Sequence, residues 1–166
     1  MIRPSYELGA SVTALDRLVA IDAIRDLMAR YARFADNKQW EDLADTFLPD
    51  GTFIPYDVEG NPRAEMRGRA DIAHTIDATV GSATAIHHLF SYEIEITSPT
   101  TATGEFAMED VAIRSDDQPL VPDETGVKPF RTARDSGRCH ARYERVDGKW
   151  FIAEMTQSSS MLDFTY

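Results

Sequence analysis

The spacing of hydrophobic residues changes once along this chain, near residue 84, and that change limits the folds open to it. Before it, Leu15, Leu18, Val19, Ile21, Ala23, Ile24, Leu27, Met28, Tyr31, Phe34 and Ala35 recur at helical spacing, with Thr13 or Ser11 placed to cap. A shorter helix is predicted in "WEDLADTF", stopped by a turn at "LPDG". "TFIPYDV" reads as a short strand whose Pro55 suggests an edge or a bulge. "EGNPRAEMRG" reads as a loop, and "RADIAHTIDATV" as a third helix with Ile72, Ala73, Ile76 and Val80 in one stripe. After the change, four segments have strand character, at about 84–97, 101–115, 132–146 and 149–160. Asp147 and Gly148 signal a hairpin between the last two. Helices first and antiparallel strands second predict an α+β domain, with a curved, mostly antiparallel sheet wrapped around the long N-terminal helix.

A chain of 166 residues suits one core, so a single domain over 1–166 is expected, with an N-terminal arm at 1–12 and a C-terminal tail at 159–166. The polar, proline-containing stretch at 116–131 is expected to be a surface loop at a pocket mouth or a subunit contact. With 28 acidic against 17 basic residues, the formal net charge of −11 repels phosphate backbones and anionic lipid heads, which argues against nucleic acid and membrane partners. A small neutral or amphipathic ligand suits this surface better. Cys139, the one cysteine, excludes an internal disulfide, and no CxxC or HxxxH spacing offers a metal site, so neither metal nor cofactor is expected. With no apolar leader region and no apolar run of membrane-spanning length, a cytoplasmic location is the expectation.

The stretch "AIHHLFSYEIEI" places His87 and His88 side by side at the start of a strand, where adjacent side chains point to opposite faces. The even positions Ile86, His88, Phe90, Tyr92, Ile94 and Ile96 are the more apolar set, so strict alternation turns His88 inward. A bulge near residues 89–91 would instead turn His87 inward, and a third arrangement covers both faces, one by the helices and one by another subunit. Tyr31 continues the stripe of Ile24, Leu27 and Met28, which places its ring in the core and asks for a partner for its hydroxyl. Asp36 falls at the end of the first helix, where the dipole disfavours a carboxylate and no cap needs one. His74 reads as a surface or boundary residue, and His140 lies off the more apolar face of Cys139, Ala141 and Tyr143.

The segments "RYARFADNKQWEDLADTFLPDGTF", "GRADI", "AIHHLFSYEIEITSPTTATGEF" and "YERVDGKWFI", in this order, resemble the SnoaL-like branch of the nuclear-transport-factor-2-like superfamily over roughly residues 13–158. The resemblance implies a cone-shaped α+β barrel around a deep apolar pocket. Within that branch, scytalone dehydratase, lindane dehydrochlorinase and bile-acid dehydratase are cofactor-free eliminating enzymes built on an aspartate and a histidine. Carried over by position, the aspartate falls on Asp36 and the histidine on His87, with His88 as the fallback. The bile-acid dehydratase tyrosine falls on Tyr31, where the dehydrochlorinase has lysine, so halide elimination is the poorer match. Phe53, Tyr56, Met108, Phe151 and Met155 are the further candidates for the substrate-binding wall.

The resemblance thus implies a lyase, most simply a dehydratase of a lipophilic, steroid-like or aromatic, carbonyl or hydroxy compound, with catalytic Tyr31, Asp36 and His87. An isomerase or a polyketide-type cyclase needs the same base and oxyanion donor. A non-catalytic subunit, like the small subunit of ring-hydroxylating dioxygenases, is the alternative outside enzymology. The resemblance also implies a homotrimer, with a dimer as the other possibility; a sedimentation mass near twice the 18.6 kDa chain would count against the trimer.

Overall fold

The computed structural model describes residues 12–117 and 130–166; the arm before Val12 and most of the loop expected at 116–131 lie outside the described residues. Helix α1 runs from Ala14 to Asp36 and begins with a reciprocal cap. The Thr13 hydroxyl accepts the Asp16 N–H at 3.1 Å, and the Asp16 carboxylate accepts the Thr13 N–H at 3.2 Å. Its stripe is covered only from Ala20 onward, through Ile24, Leu27, Met28 and Ala35; Leu15, Leu18 and Val19 remain exposed.

Helix α2 is short, Trp40–Ala44, and strand β1 follows at once, Phe47–Tyr56. "LPDG" is therefore not a turn but an irregularity inside β1, where pairing jumps from Phe47 with Ile152 to Thr52 with Glu154. Two contacts fix this course: the Arg69 guanidinium donates to the Phe47 carbonyl at 2.7 and 2.9 Å, and Gly51 passes so close to the backbone that a Cβ would lie 3.1 Å from the Ile152 carbonyl. Strand β2, Met66–Arg67, was not expected, since two residues carry no period. Helix α3 occupies Arg69–Val80, the whole stretch predicted, with Ile72 buried. Strands β3 (Thr84–Ile96), β4 (Thr101–Ile113), β5 (Thr132–Val146) and β6 (Lys149–Thr165) complete the chain.

The six strands form one sheet in the order β2-β1-β6-β5-β4-β3, antiparallel except where β1 meets β6. Asp147 and Gly148, with φ of 49° and 79°, make the β5–β6 turn in the mirror-image conformation that two-residue hairpins prefer. The expected tail at 159–166 is a correction: β6 runs on to Thr165, paired with β5 through Thr132, and Phe164 rests 5.4 Å from Phe130. The sheet curves around α1, burying Ile24, Leu27 and Met28 against Phe47, Tyr143, Ile152 and Met155. Each such large apolar side chain contributes about 1.5–3 kcal/mol when fully removed from water.

Tyr143 is fully buried, yet its hydroxyl has no hydrogen-bond partner among the described residues. A buried unpaired hydroxyl costs about 1–3 kcal/mol. Tyr143→Phe removes that group and leaves the ring's packing, so the expected result is a urea midpoint equal to or above that of the parent; a fall of more than about 1 kcal/mol would show that the hydroxyl is satisfied in solution.

Candidate active site

The bulge in β3 decides which histidine enters the fold. Leu89 pairs with Met108 and Tyr92 with Phe106, so Phe90 and Ser91 together oppose Ala107 alone. One extra residue reverses the alternation. Before the bulge the odd positions Ala85, His87 and Leu89 face α1; after it the even positions Ile94 and Ile96 do. Ile86, His88 and Phe90 are sent to the outer face, where the His88 ring stacks on Phe90 at 5.9 Å. The inward position that alternation offered to His88 is therefore overturned, and so is its place in the substrate-binding set.

His87 is held at two points by one carboxylate oxygen. Asp36 Oδ1 accepts the His87 backbone N–H at 2.9 Å and lies 2.8 Å from His87 Nδ1. This places the C-terminal carboxylate of α1 against the start of β3, and it gives Asp36 the partner that a helix end could not. A carboxylate can only accept here, so Nδ1 carries a proton, and in the neutral imidazole the lone pair is on Nε2. Nε2 looks toward the inside of the sheet, 4.0 Å from Asp110 Oδ1.

Asp110, on β4, lines the same cavity as His87 and was not among the residues the sequence pointed to. Its Oδ2 accepts from the Gln157 amide at 2.8 Å. Burial pushes its carboxyl above the ordinary value, and the facing Asp135 adds to this, whereas His87, the Gln157 amide and Arg63 pull it down. Tyr31 lies half-buried on α1, its ring edge-on to Phe47 at 6.1 Å. Burial, with smaller contributions from Cys139 and Asp110, raises its hydroxyl well above the ordinary range, so it stays a proton donor across the pH range of a folded protein. That hydroxyl makes no hydrogen bond to another described residue.

These groups share a small cavity of about 20 Å³. Of the residues expected at the site, Tyr31, His87, Met108 and Met155 line it, with Asp36 behind His87. Met28, Ala32, Leu89, Asp110, Cys139 and Gln157 complete the lining. The other expected wall residues lie elsewhere. Phe53 is core packing against Phe47, and Tyr56 is not among the residues lining the cavity; its backbone carbonyl lies 3.1 Å from the Ser159 hydroxyl. Phe151 pairs with Glu144 at a position of the opposite parity to Ile152 and lies under the Arg69 guanidinium. His140 is exposed beside Glu105 at 3.3 Å, and His74 is exposed on α3.

The deep pocket implied by resemblance is closed in this conformation: about 20 Å³ holds one water molecule and no organic substrate. Met28, Met108 and Met155 occupy the space, and such unbranched side chains move aside more readily than branched ones. A larger hollow of about 580 Å³ lies on the opposite face of the sheet, among Glu93, Glu95, Glu105, His140, Arg142 and Glu154. Its charged groups are open to water and several are spent on one another, so it offers no poised base. Among the described residues, no three or more His, Cys, Asp or Glu side chains converge as metal ligands, and no helix is long and apolar enough to cross a membrane.

Solved structures share this architecture. A candidate scytalone dehydratase from Novosphingobium aromaticivorans matches with a TM-score of 0.75 and 19% identity, over 93% of each chain. A hexachlorocyclohexane dehydrochlorinase from Novosphingobium barchaimii matches at 0.71 and 19%, over 92% of this chain and 94% of that one. The beta subunit of a candidate aromatic-ring-hydroxylating dioxygenase from Novosphingobium aromaticivorans matches at 0.68 and 18%, over 88% and 92%. At these identities the likeness is one of fold. The sequence itself matches the SnoaL-like domain over residues 16–156, from the first turn of α1 to the middle of β6, and the chain therefore belongs to the SnoaL-like domain family.

Proposed function

We propose that the chain is a cofactor-independent lyase, a dehydratase of a lipophilic carbonyl or hydroxy compound. The observation that carries this reading is the His87 imidazole, fixed through Nδ1 by Asp36 and presenting Nε2 to a cavity that also holds Tyr31 and Asp110. Nε2 takes the proton from a carbon next to a carbonyl, and Asp36 stabilises the imidazolium that forms. Tyr31 donates a hydrogen bond to the carbonyl oxygen, where negative charge develops. Asp110, in its protonated form, gives its proton to the departing hydroxyl, which leaves as water. His87 then returns the carbon's proton to Asp110 through the released water, since Nε2 and Oδ1 stand 4.0 Å apart, beyond direct hydrogen-bonding reach, and the site is restored. The methionine lining supplies the apolar contact, and its side chains rotate to admit the substrate.

The test is a panel of hydroxylated steroid and aromatic ketones incubated with the full chain and followed by mass spectrometry. Loss of the mass of one water is expected for at least one compound. A rearranged product of unchanged mass would instead indicate an isomerase or a cyclase, which use the same proton abstraction. The likeness to a dioxygenase beta subunit supports one further reading, a non-catalytic subunit; co-purification with a larger iron–sulfur partner and no turnover across the panel would favour it. We also propose a homo-oligomer, a trimer in preference to a dimer. The exposed outer face of Ile86 and Phe90 on β3 suits burial against another copy.

A further inference from the structure

We propose that Asp135 is a positioning residue that shares one proton with Asp110 and thereby keeps Asp110 as the acid of the site. The β4–β5 register sets Asp110 directly opposite Asp135, both on the inward face. Residues so paired have Cβ atoms about 4.5–5.5 Å apart. Carboxyl groups carried on facing positions of this kind repel one another when both are ionised, and a proton on one of them removes that repulsion.

The partners of Asp135 show where the shared proton rests. Asp135 is 93% buried, by its 7% residual exposure, and the Arg63 guanidinium binds its Oδ2 at 2.5 Å. The Ser159 hydroxyl donates to the same oxygen at 2.8 Å. Its other oxygen, Oδ1, is buried with no partner among the described residues. A buried carboxylate oxygen left unpaired is costly, and a proton carried by the facing carboxyl supplies the missing donor. Arg63 stabilises the negative charge on Asp135, whereas Asp110 has only the neutral Gln157 amide at bonding distance, so the proton resides on Asp110. The remaining groups around Asp110 are His87 from β3, Cys139 from β5, Tyr31 from α1 and Arg63 from the loop between β1 and β2. Only His87 and Arg63 among them bear or acquire positive charge, and Arg63 is already committed to Asp135.

The experiment is infrared spectroscopy of the full-length protein, which reads protonated carboxyl groups without substrate. At neutral pH the parent is expected to show a protonated-carboxyl C=O stretch that shifts in D2O and is absent from Asp110→Asn. Asp135→Asn removes the facing negative charge, so Asp110 ionises and the band is lost at a pH at least one unit lower than in the parent. Arg63→Gln acts in the opposite sense: it weakens the Asp135 anion, the pair binds its proton more tightly, and the band persists to higher pH. A merely structural cluster would not move the two titrations in opposite directions. Absence of the band from the parent, or an unchanged titration in folded Asp135→Asn and Arg63→Gln, overturns the proposal. The catalytic consequence rests on the proposed dehydration, but the spectrum does not: a chain with the band and no turnover would overturn the reaction and leave the proton pair intact.

Discussion

Asp36→Asn is expected to lower kcat by about 10²- to 10⁴-fold on whichever ketone of the panel is turned over, with little change in KM. The amide keeps the shape of the carboxylate and can still accept from the His87 backbone N–H, so α1 and β3 stay joined. What is lost is the charge. The imidazolium formed when Nε2 takes a proton has no counter-ion at Nδ1, and an amide turned the other way offers Nδ1 a donor and forces the unproductive tautomer. His87→Gln, which removes the base itself, is expected to fall at least as far. Because the Asp36 and His87 contacts form one unit, the double variant should be little worse than either single one. Undiminished turnover in folded Asp36→Asn would remove His87 from the role of base.

The parts of this fold legible in the sequence are those whose signal is local. The stripe from Leu15 to Ala35, with Thr13 among the caps offered, announces α1, the stripe of Ile72, Ala73, Ile76 and Val80 announces α3, and Asp147-Gly148 fixes the last hairpin. β2 and the course of "LPDG" were not legible, because both are set by partners far along the chain, Arg69 and Ile152 among them. In β3 the alternation of the whole strand misleads, since an extra residue at the Phe90–Ser91 bulge divides it into two segments of opposite parity. Family position, not periodicity, pointed to His87.

Asp110 carried a readable signal that went unused. The inward positions of β4 run Ala102, Gly104, Phe106 and Met108, and the next in phase is a carboxylate. Asp135 continues the inward set of Cys139, Ala141 and Tyr143 on β5 in the same way. A charged residue in phase with a buried row is either neutralised, paired or functional. Arg63 had no such signal, since its contact to Asp135 spans 72 residues from an irregular loop. Phe53 and Phe151 were misplaced for the converse reason: an aromatic residue on a strand reports burial or breadth of contact, not which cavity it lines.

Gly137→Ala is expected to be the most damaging single-methyl change on the sheet. A Cβ at Gly137 would stand 1.9 Å from the Ser158 carbonyl oxygen and 2.9 Å from its carbon, and both are backbone atoms that cannot rotate away. The β5–β6 register shifts at this point, between Ser136 and Gly137, so the strands approach here more closely than a side chain allows. Overpacking of this kind costs typically about 1–3 kcal/mol and sometimes more. For a chain of this size each kcal/mol lowers Tm by about 2–4 °C. The displaced segment of β6 carries Gln157, which holds Asp110, and Ser159, which holds Asp135. Turnover should therefore fall together with stability, and the infrared titration of the carboxyl pair should shift in the same protein. Gly148→Ala is the control: its Cβ meets nothing within 4 Å, and only the positive φ of 79° opposes it. That variant should lose about 1–2 kcal/mol with the Asp110 titration unmoved. A Gly137→Ala protein as stable as the parent would mean that β5 and β6 separate at the bulge without cost, and that the position of Gln157 does not depend on it.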